Sequence, residues 1–335
     1  MHNLLLSDKQ KLDLKNKHYG IAGNHSCVQI CELTKKSLRN DGECYKNTFY
    51  GIETHNCSQV SPNVIWCDQN CIFCWRPAEN MLRRKISENV DNVAETIDGL
   101  VKARYKLLTG FGGHENVNKQ KSKTSLGMFP SHWAISLSGE PTLYPKLAEF
   151  ILELKKRHAK TIFLVTNGQN PNVLWNLQKK NALPTQLYIS LNALNKASYN
   201  KINKGIRKDA WKRLLKTITL LNSFKTRTVI RLTVIKNIND SETAIKEFAK
   251  IIDKGQPDFL EIKSYMHLGY SRLRLNRENM LTHNEIKEFG KKLEKYCKCI
   301  KFEDEAIASR IILYKNNGKY RKKKVPNRWL IKTEK

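Results

Sequence analysis

Nine cysteines stand in this 335-residue chain, and seven of them fall between Cys27 and Cys74. The densest group is Val64-Ile-Trp-Cys67-Asp-Gln-Asn-Cys71-Ile-Phe-Cys74-Trp75-Arg-Pro77, a C-x3-C-x2-C array. Three thiolates from one tight loop can hold three irons of a [4Fe–4S] cube and leave the fourth iron without a protein ligand. An open coordination position is where a metal does chemistry, as in catalytic zinc sites. A zinc knuckle is the alternative that the same spacing allows. Upstream, Cys31, Cys44 and Cys57 are separated by twelve residues in each gap. Two clusters account for these two sets of thiols better than one. Cys27 is then a spare thiol, and Cys297 and Cys299, at a helix end, need no special role. Met1 to Lys17 is charged, and its apolar run Leu4-Leu5-Leu6 is too short for a signal peptide. Crowded cysteines in a cytoplasmic chain argue for metal rather than disulfides.

Residues 1–63 have no room for a hydrophobic core of their own, so they need a metal staple or packing against the next domain. A first strand is expected at Val64–Trp66. A helix over Glu88–Leu108 leads to the loop Gly110-Phe-Gly-Gly113 and a lysine-rich polar excursion to Ser125. Apolar runs then alternate with helical segments, the pattern of repeated βα units and a parallel sheet. The runs are Trp133–Leu137, Ile162–Val165, Leu187–Leu191, Val229–Ile235 and Phe259–Ile262, with Ile311–Tyr314 as a final strand. Helices are expected over Pro145–His158, Pro171–Lys180, Ala210–Ser223 and Ser241–Asp253, and another opens at Thr282-His-Asn-Glu285, a capping-box spacing. Six core strands suit an incomplete TIM-like (β/α)6 barrel over 64–314, with a basic tail over 315–335. Polar residues follow the strands, as expected for a site at the carboxyl face of a barrel: Ser136-Leu-Ser138-Gly139-Glu140-Pro-Thr142, Thr166-Asn167-Gly168, Ser190-Leu-Asn192 and Glu261-Ile-Lys263.

Lys plus Arg total 60 against 31 Asp plus Glu, a formal net charge of +29. A soluble enzyme for a small molecule gains little from that excess, and a nucleic acid is the usual partner that explains it. The run Lys315–Lys324, then Arg328-Trp329, could track phosphates or form a solvated tail. No stretch approaches the roughly eighteen apolar residues of a membrane span.

The cysteine loop resembles that of the radical S-adenosylmethionine (SAM) enzymes, in which the free iron chelates SAM. Further strings are similar to those of the archaeal tRNA 4-demethylwyosine synthases: Cys44-Tyr-Lys46, Phe49-Tyr-Gly-Ile52, Phe73-Cys74-Trp75-Arg76-Pro77, Leu137-Ser-Gly-Glu-Pro-Thr142, Phe163-Leu-Val-Thr-Asn-Gly168, Glu261-Ile-Lys263 and Ser309-Arg310. The likeness runs from about Asn24 to about Leu313. It implies a radical SAM barrel with an N-terminal cluster-binding segment, and formation of a tricyclic base from N1-methylguanosine, on the 3′ side of the anticodon of phenylalanine tRNA, and two carbons of pyruvate. Cys67, Cys71 and Cys74 would hold the SAM-cleaving [4Fe–4S] cluster, and Cys31, Cys44 and Cys57 an auxiliary one. Lys46 would form a Schiff base with pyruvate. Ser138, Gly139, Glu140 and Asn167 would meet SAM, with Ser190 and Asn192 near its ribose. Trp75 and Tyr265 are candidates to stack on the base, or else core aromatics. About thirty residues precede Cys31, too few for an electron-transfer domain, so a separate ferredoxin- or flavodoxin-type donor is expected, and the chain is expected to act as a monomer. The competing readings are another radical SAM enzyme acting on RNA, and a zinc-stapled RNA-binding module without catalysis.

Overall fold

The computed structural model describes residues 5–331 apart from 82–85, 87, 88, 112, 114 and 322. Of the positions named above, Met1, Leu4, Glu88, Gly112 and Lys322 lie outside them. Among the described residues ten strands form one sheet: β1 (Gly20–Ala22), β2 (Ser26–Gln29), β3 (Cys57–Ser61), β4 (His132–Ile135), β5 (Thr161–Thr166), β6 (Gln186–Leu191), β7 (Arg227–Val234), β8 (Phe259–Ser264), β9 (Ile300–Ala306) and β10 (Ile311–Asn316). Their spatial order is β1-β2-β3-β4-β5-β6-β7-β8-β10-β9. Strands β3 to β8 are parallel neighbours, while β1, β2, β10 and β9 pair antiparallel at the two margins. The six parallel strands make an open, partial TIM-like barrel.

The parallel strands are buried on both faces, which is why they read as continuous apolar runs. The helices over them carry one apolar stripe each, and three of them begin where a side chain caps the exposed amides. Asn92 caps the helix Val93–Thr109, Ser241 caps Glu242–Gly255, and Thr282 forms the expected capping box with Glu285 at the head of His283–Tyr296. The main apolar core lies between the sheet and these helices, and includes Trp66, Trp133, Phe150 and Phe248.

The first parallel strand is not Val64–Trp66 but Cys57–Ser61, inside the expected N-terminal segment. Val64–Trp66 turns away instead, with Trp66 N bonded to Asn63 O at 3.2 Å. Its apolar side chains are buried because they enter the main apolar core, so burial and not extension explains their type. The N-terminal segment also enters the barrel. The helix Tyr45–Tyr50 sets Tyr45, Phe49 and Tyr50 against Phe163, Tyr188, Val229, Phe259, Ile311 and Leu313, which form a second core cluster. The lysine-rich excursion contains a helix, Lys119–Gly127.

The basic tail is docked rather than frayed. Arg321 pairs with the buried Asp258 at 2.7 Å, Lys323 Nζ donates to the carbonyls of Phe224 and Thr226, and Arg328 meets Asp304 at 2.5 Å. Leu330 N donates to Tyr50 O at 3.0 Å, which closes the amino-terminal end of the barrel over the Tyr45–Tyr50 helix. No helix among the described residues is long and apolar enough to cross a membrane.

Candidate active site

Two cysteine sets bracket strand β3. Cys67, Cys71 and Cys74 lie on the loop beyond its carboxyl end, and this loop is latched by backbone bonds: Asn70 N to Asn203 O at 3.0 Å, Ile72 N to Ile202 O at 2.9 Å, and Ile206 N to Asp68 O at 3.1 Å. Gln69 Nε2 donates to Tyr199 Oη at 2.6 Å, and the Asn203 amide reaches Gln69 at 3.2 Å and the Cys71 sulfur at 3.7 Å. On the other side, the buried Arg76 donates to Leu137 O at 2.8 Å and to Gln29 at 3.0 Å. Burial pushes the Cys67 thiol far up, and neighbouring Cys71, Asp68 and Glu140 add to it. Three half-buried thiols on one loop, with no disulfide among them, would as thiolates be the soft donor set that an iron–sulfur cube needs.

The loop after β4 is pressed against this array. Gly139 has φ +73°, and a Cβ there would stand 2.2 Å from Asn63 O and 2.8 Å from Trp66 O. Glu140 N donates to Trp66 O at 2.7 Å, and Ser61 Oγ donates to Ser138 O at 2.5 Å. The Glu140 carboxylate is buried and turned inward: it accepts from Thr142 N at 3.0 Å, from the Thr142 and Thr166 hydroxyls, and from Asn167 N at 2.8 Å. Burial, with Asp68 nearby, raises it to about 7 against the pull of those hydroxyl bonds. Asn167 in turn donates to Asp68 at 2.7 Å. Glu140 and Asn167 therefore tie the strand ends to the cysteine loop, and their side chains are engaged within the protein. Asn192 differs. It is 1% exposed, its Oδ1 accepts from Thr233 N at 3.4 Å, and its Nδ2 has no protein partner. Such a buried orphan donor fits an acceptor on a bound molecule.

At the other end of β3, Cys31 caps the helix Glu32–Leu38, Cys44 caps Tyr45–Tyr50, and Cys57 opens the strand. Thr54 ties these loops, accepting Cys44 N at 3.1 Å on its hydroxyl and the Thr34 hydroxyl at 3.3 Å on its carbonyl. Burial lifts Cys44 to about 11 and Cys57 to about 12, and in both cases the other thiols of the set oppose ionisation while Lys46 favours it. These are again thiols whose charged form a metal would stabilise. The buried Arg104 stands by Cys57 and Cys31, its guanidinium donating to Ser125 O at 2.7 Å and His55 O at 3.0 Å. Cys27 sits in the apolar core, and His25 is buried with Nδ1 at 2.6 Å from Pro62 O. Both are structural.

Between the cysteine sets lies the barrel interior. Lys46, 7% exposed, points its Nζ 4.2 Å from the Phe163 ring centroid and 5.6 Å from that of Tyr188. Burial pulls its pKa down; Arg231 adds to this, while Cys57, Cys44 and Glu261 oppose it. Beside it runs a buried network. Glu261 accepts from Tyr50 Oη at 2.7 Å and Tyr188 Oη at 3.0 Å, and its second oxygen accepts from Arg231 Nε at 3.0 Å and Arg231 Nη2 at 2.9 Å. Arg231 Nη2 also donates to Tyr45 Oη at 2.6 Å. Strand register places Ser190 opposite Arg231 and Arg231 opposite Glu261, so the polar strand ends and the Lys46 chamber are adjacent. Lys263, drawn down to about 8 by burial and then by Arg231, lies over the Tyr45 ring at 5.9 Å.

The chain as a whole is similar to known proteins. A family described as "Radical SAM superfamily" matches residues 131–249, and one described as "Wyosine base formation" matches residues 254–316. The S-adenosyl-L-methionine-dependent tRNA 4-demethylwyosine synthase of Pyrococcus horikoshii is 43% identical over 299 residues, 89% of this chain and 86% of that one. The chain belongs to the tRNA 4-demethylwyosine synthases. The Methanocaldococcus jannaschii member is 39% identical over 91% of this chain and 95% of its own. Two solved structures are also similar: "TYW1 with a lysine-pyruvate adduct bound" at TM-score 0.82 and 37% identity, covering 94% of this chain and 97% of that one, and "archaeal TYW1" at TM-score 0.76 and 32% identity, covering 97% and 99%.

As a 4-demethylwyosine synthase the chain is a radical SAM enzyme, which uses SAM and a [4Fe–4S] cluster. The reading as a zinc-stapled module without catalysis falls with that assignment. Sequence reasoning counted Arg231 and Glu261 among the polar residues of the strands but did not foresee that they pair with each other or with Tyr45, Tyr50 and Tyr188. The available signal was a lone arginine inside the apolar run Val229–Ile235 and a lone glutamate inside Phe259–Ile262, since a buried charge needs a buried partner.

Proposed function

We propose that the enzyme joins N1-methylguanosine, 3′ of the anticodon in phenylalanine tRNA, to two carbons of pyruvate, with pyruvate held at Lys46. The observation that carries this is the Lys46 amine itself. It is enclosed by aromatic faces, drawn toward its neutral form by burial, and in no ion pair with a carboxylate among the described residues. A neutral buried amine is the nucleophile that attacks a ketone; an arginine would stay protonated. Attack on the keto carbon of pyruvate with loss of water gives an imine, and Lys263 and Arg231 supply positive charge for the carboxylate. A related solved structure carries a lysine–pyruvate adduct, which supports the reading.

Cys67, Cys71 and Cys74 are assigned to the SAM-cleaving cluster, and Cys31, Cys44 and Cys57 to a second one beside Lys46. When bound, SAM and the first cluster supply a 5′-deoxyadenosyl radical able to take hydrogen from the N1-methyl group. Backbone groups of Ser138, Gly139 and Glu140, together with Ser190 and Asn192, orient the sulfonium ligand. The Glu140–Asn167–Asp68 bonds keep that pocket rigid. Electrons come from a separate ferredoxin- or flavodoxin-type protein.

With Arg321, Lys323 and Arg328 engaged in internal pairs, the anticodon loop is assigned instead to the rim near Cys74. There Trp75 is 43% exposed over the Arg76 guanidinium at 3.7 Å, and Leu268 and Leu273 are exposed beside it. The rim loop is fastened to Trp75, whose carbonyl accepts Tyr270 N at 3.1 Å. An unpaired base can leave the loop and stack there at low cost. Tyr265 is buried in the core and takes no part in stacking.

The test is anaerobic incubation of the reconstituted protein with SAM, fully carbon-13-labelled pyruvate, reductant and N1-methylated tRNA, followed by digestion and mass spectrometry. The expected product is a tricyclic nucleoside carrying two labelled carbons. Product without label, or intact N1-methylguanosine beside released 5′-deoxyadenosine, overturns the reading.

A further inference from the structure

Far from the barrel interior, three potential metal ligands meet at a junction of elements. The helices Glu242–Gly255 and His283–Tyr296 both end there, and β9 starts there. Asp253 lies in the last turn of the first helix, Cys297 caps the second, and Cys299 precedes β9. Cys297 Sγ stands 3.3 Å from Asp253 Oδ1 and 3.7 Å from Cys299 Sγ, and one donor atom from each residue lies within 4.8 Å of the other two.

We propose that Asp253, Cys297 and Cys299 form a zinc site that staples the β9–β10 hairpin to the barrel helices. Four features of the site support this. Two thiols and a carboxylate are a donor set that zinc prefers, with a fourth position left open. Both cysteines are buried, whereas Asp253 is half-buried and leaves solvent a route to that position. The carboxylate is already aimed: Oδ1 accepts Cys299 N and Oδ2 accepts Lys298 N, each at 3.0 Å. Such outer-shell bonds fix a ligand's orientation. Finally, two helix carboxyl ends converge on the site, and their partial negative charge favours a cation. Yet Asp253 makes no ion pair among the described residues.

Binding is balanced simply: a zinc ion displaces the two thiol protons, and the carboxylate enters unchanged. Zinc there would cross-link three elements that already meet in one apolar core, where Ile252, Leu293 and Ile300 are buried together. The site shares no residue with either cysteine set or with the Lys46 chamber, so it stands or falls apart from the pyruvate chemistry.

The test uses the full chain with its iron–sulfur clusters loaded, exposed anaerobically to one equivalent of zinc, desalted and analysed for metals. About one zinc per chain is expected, with the iron content unchanged. Zinc-edge X-ray absorption should give about two sulfurs near 2.3 Å and oxygen near 2.0 Å. The Cys297→Ser/Cys299→Ser variant should lose the zinc and keep the iron. Asp253→Asn, which keeps both thiols, should weaken zinc binding at least about tenfold. No retained zinc, a zinc shell of three or four sulfurs, zinc undiminished in the double variant, or a Cys297–Cys299 disulfide in the anaerobic protein would each overturn the proposal.

Discussion

The Glu261–Arg231 pair offers the sharpest link between fold and chamber, and Glu261→Gln is the perturbation that isolates it. Glu261 is fully buried and accepts four hydrogen bonds, two from Tyr50 and Tyr188 and two from Arg231. Glutamine keeps one acceptor for the tyrosines but places an NH2 group against the guanidinium. The arginine then stays charged and buried without its counter-ion. Breaking a buried pair from one side costs about 3–5 kcal/mol. The Arg231 side chain is 18% exposed, so water relieves part of this and the expected loss is about 3 kcal/mol. That is a large share of a typical stability of about 5–15 kcal/mol. Urea unfolding of the anaerobic protein measures it, provided the slope of the transition stays constant. The double variant Glu261→Gln/Arg231→Met removes both charges and should recover at least about 1.5 kcal/mol of the loss, since neighbours in one network are not additive. A single variant costing less than about 1 kcal/mol, or a double variant as bad as the sum of the two singles, would refute this account of the chamber.

Three further outcomes follow from the geometry. Gly139→Ala places a Cβ 2.2 Å from a backbone oxygen at positive φ; it should cost about 1–3 kcal/mol and lower both the iron content and SAM cleavage, because the loop it displaces carries the clustered thiols. Asn192→Ala removes a buried donor with no protein partner, so the KM for SAM should rise about tenfold while stability changes little; an unchanged KM removes Asn192 from the site. His132 is buried and lowered to about 4 by desolvation. Below the ordinary histidine value of about 6.5 the unfolded chain binds the proton and the folded chain does not, so stability falls as pH drops and is lost by about 2 kcal/mol between pH 8 and pH 5. His132→Asn should flatten that slope in paired denaturation curves, and an equal slope in both proteins excludes the histidine as its source.

Much of the barrel was legible because its strands are buried on both faces: the runs at 162–165 and 187–191 fall inside β5 and β6. Strand β9 was not, since in Ile300-Lys-Phe-Glu-Asp-Glu-Ala306 the apolar alternation gives way after Phe302 to three acidic residues in a row. The short β1 and β2 carried too few residues to show a period. The helix Lys119–Gly127 was hidden by its polar composition. Confusing Val64–Trp66 with a strand came from equating burial with extension. At the site, cysteine spacing separated the two thiol sets without any structure. Lys46 stood out only through the Cys44-Tyr-Lys46 string, its burial becoming visible when its helix was seen to enter the barrel, and the Arg231–Glu261 network became visible only when register aligned their strands. The docking of the basic tail was not legible because composition records charge but not its partners: Asp258, Asp304 and two backbone carbonyls hold Arg321, Arg328 and Lys323.

The central claim is that the Lys46 amine takes pyruvate. Anaerobic enzyme mixed with pyruvate, reduced with borohydride, digested and mapped by mass spectrometry tests it most directly. The account predicts the reduced adduct on Lys46 and no other lysine, its absence in Lys46→Arg, and continued SAM cleavage by that variant. An adduct on Lys263 instead, or tricyclic product formed by Lys46→Arg, would contradict it.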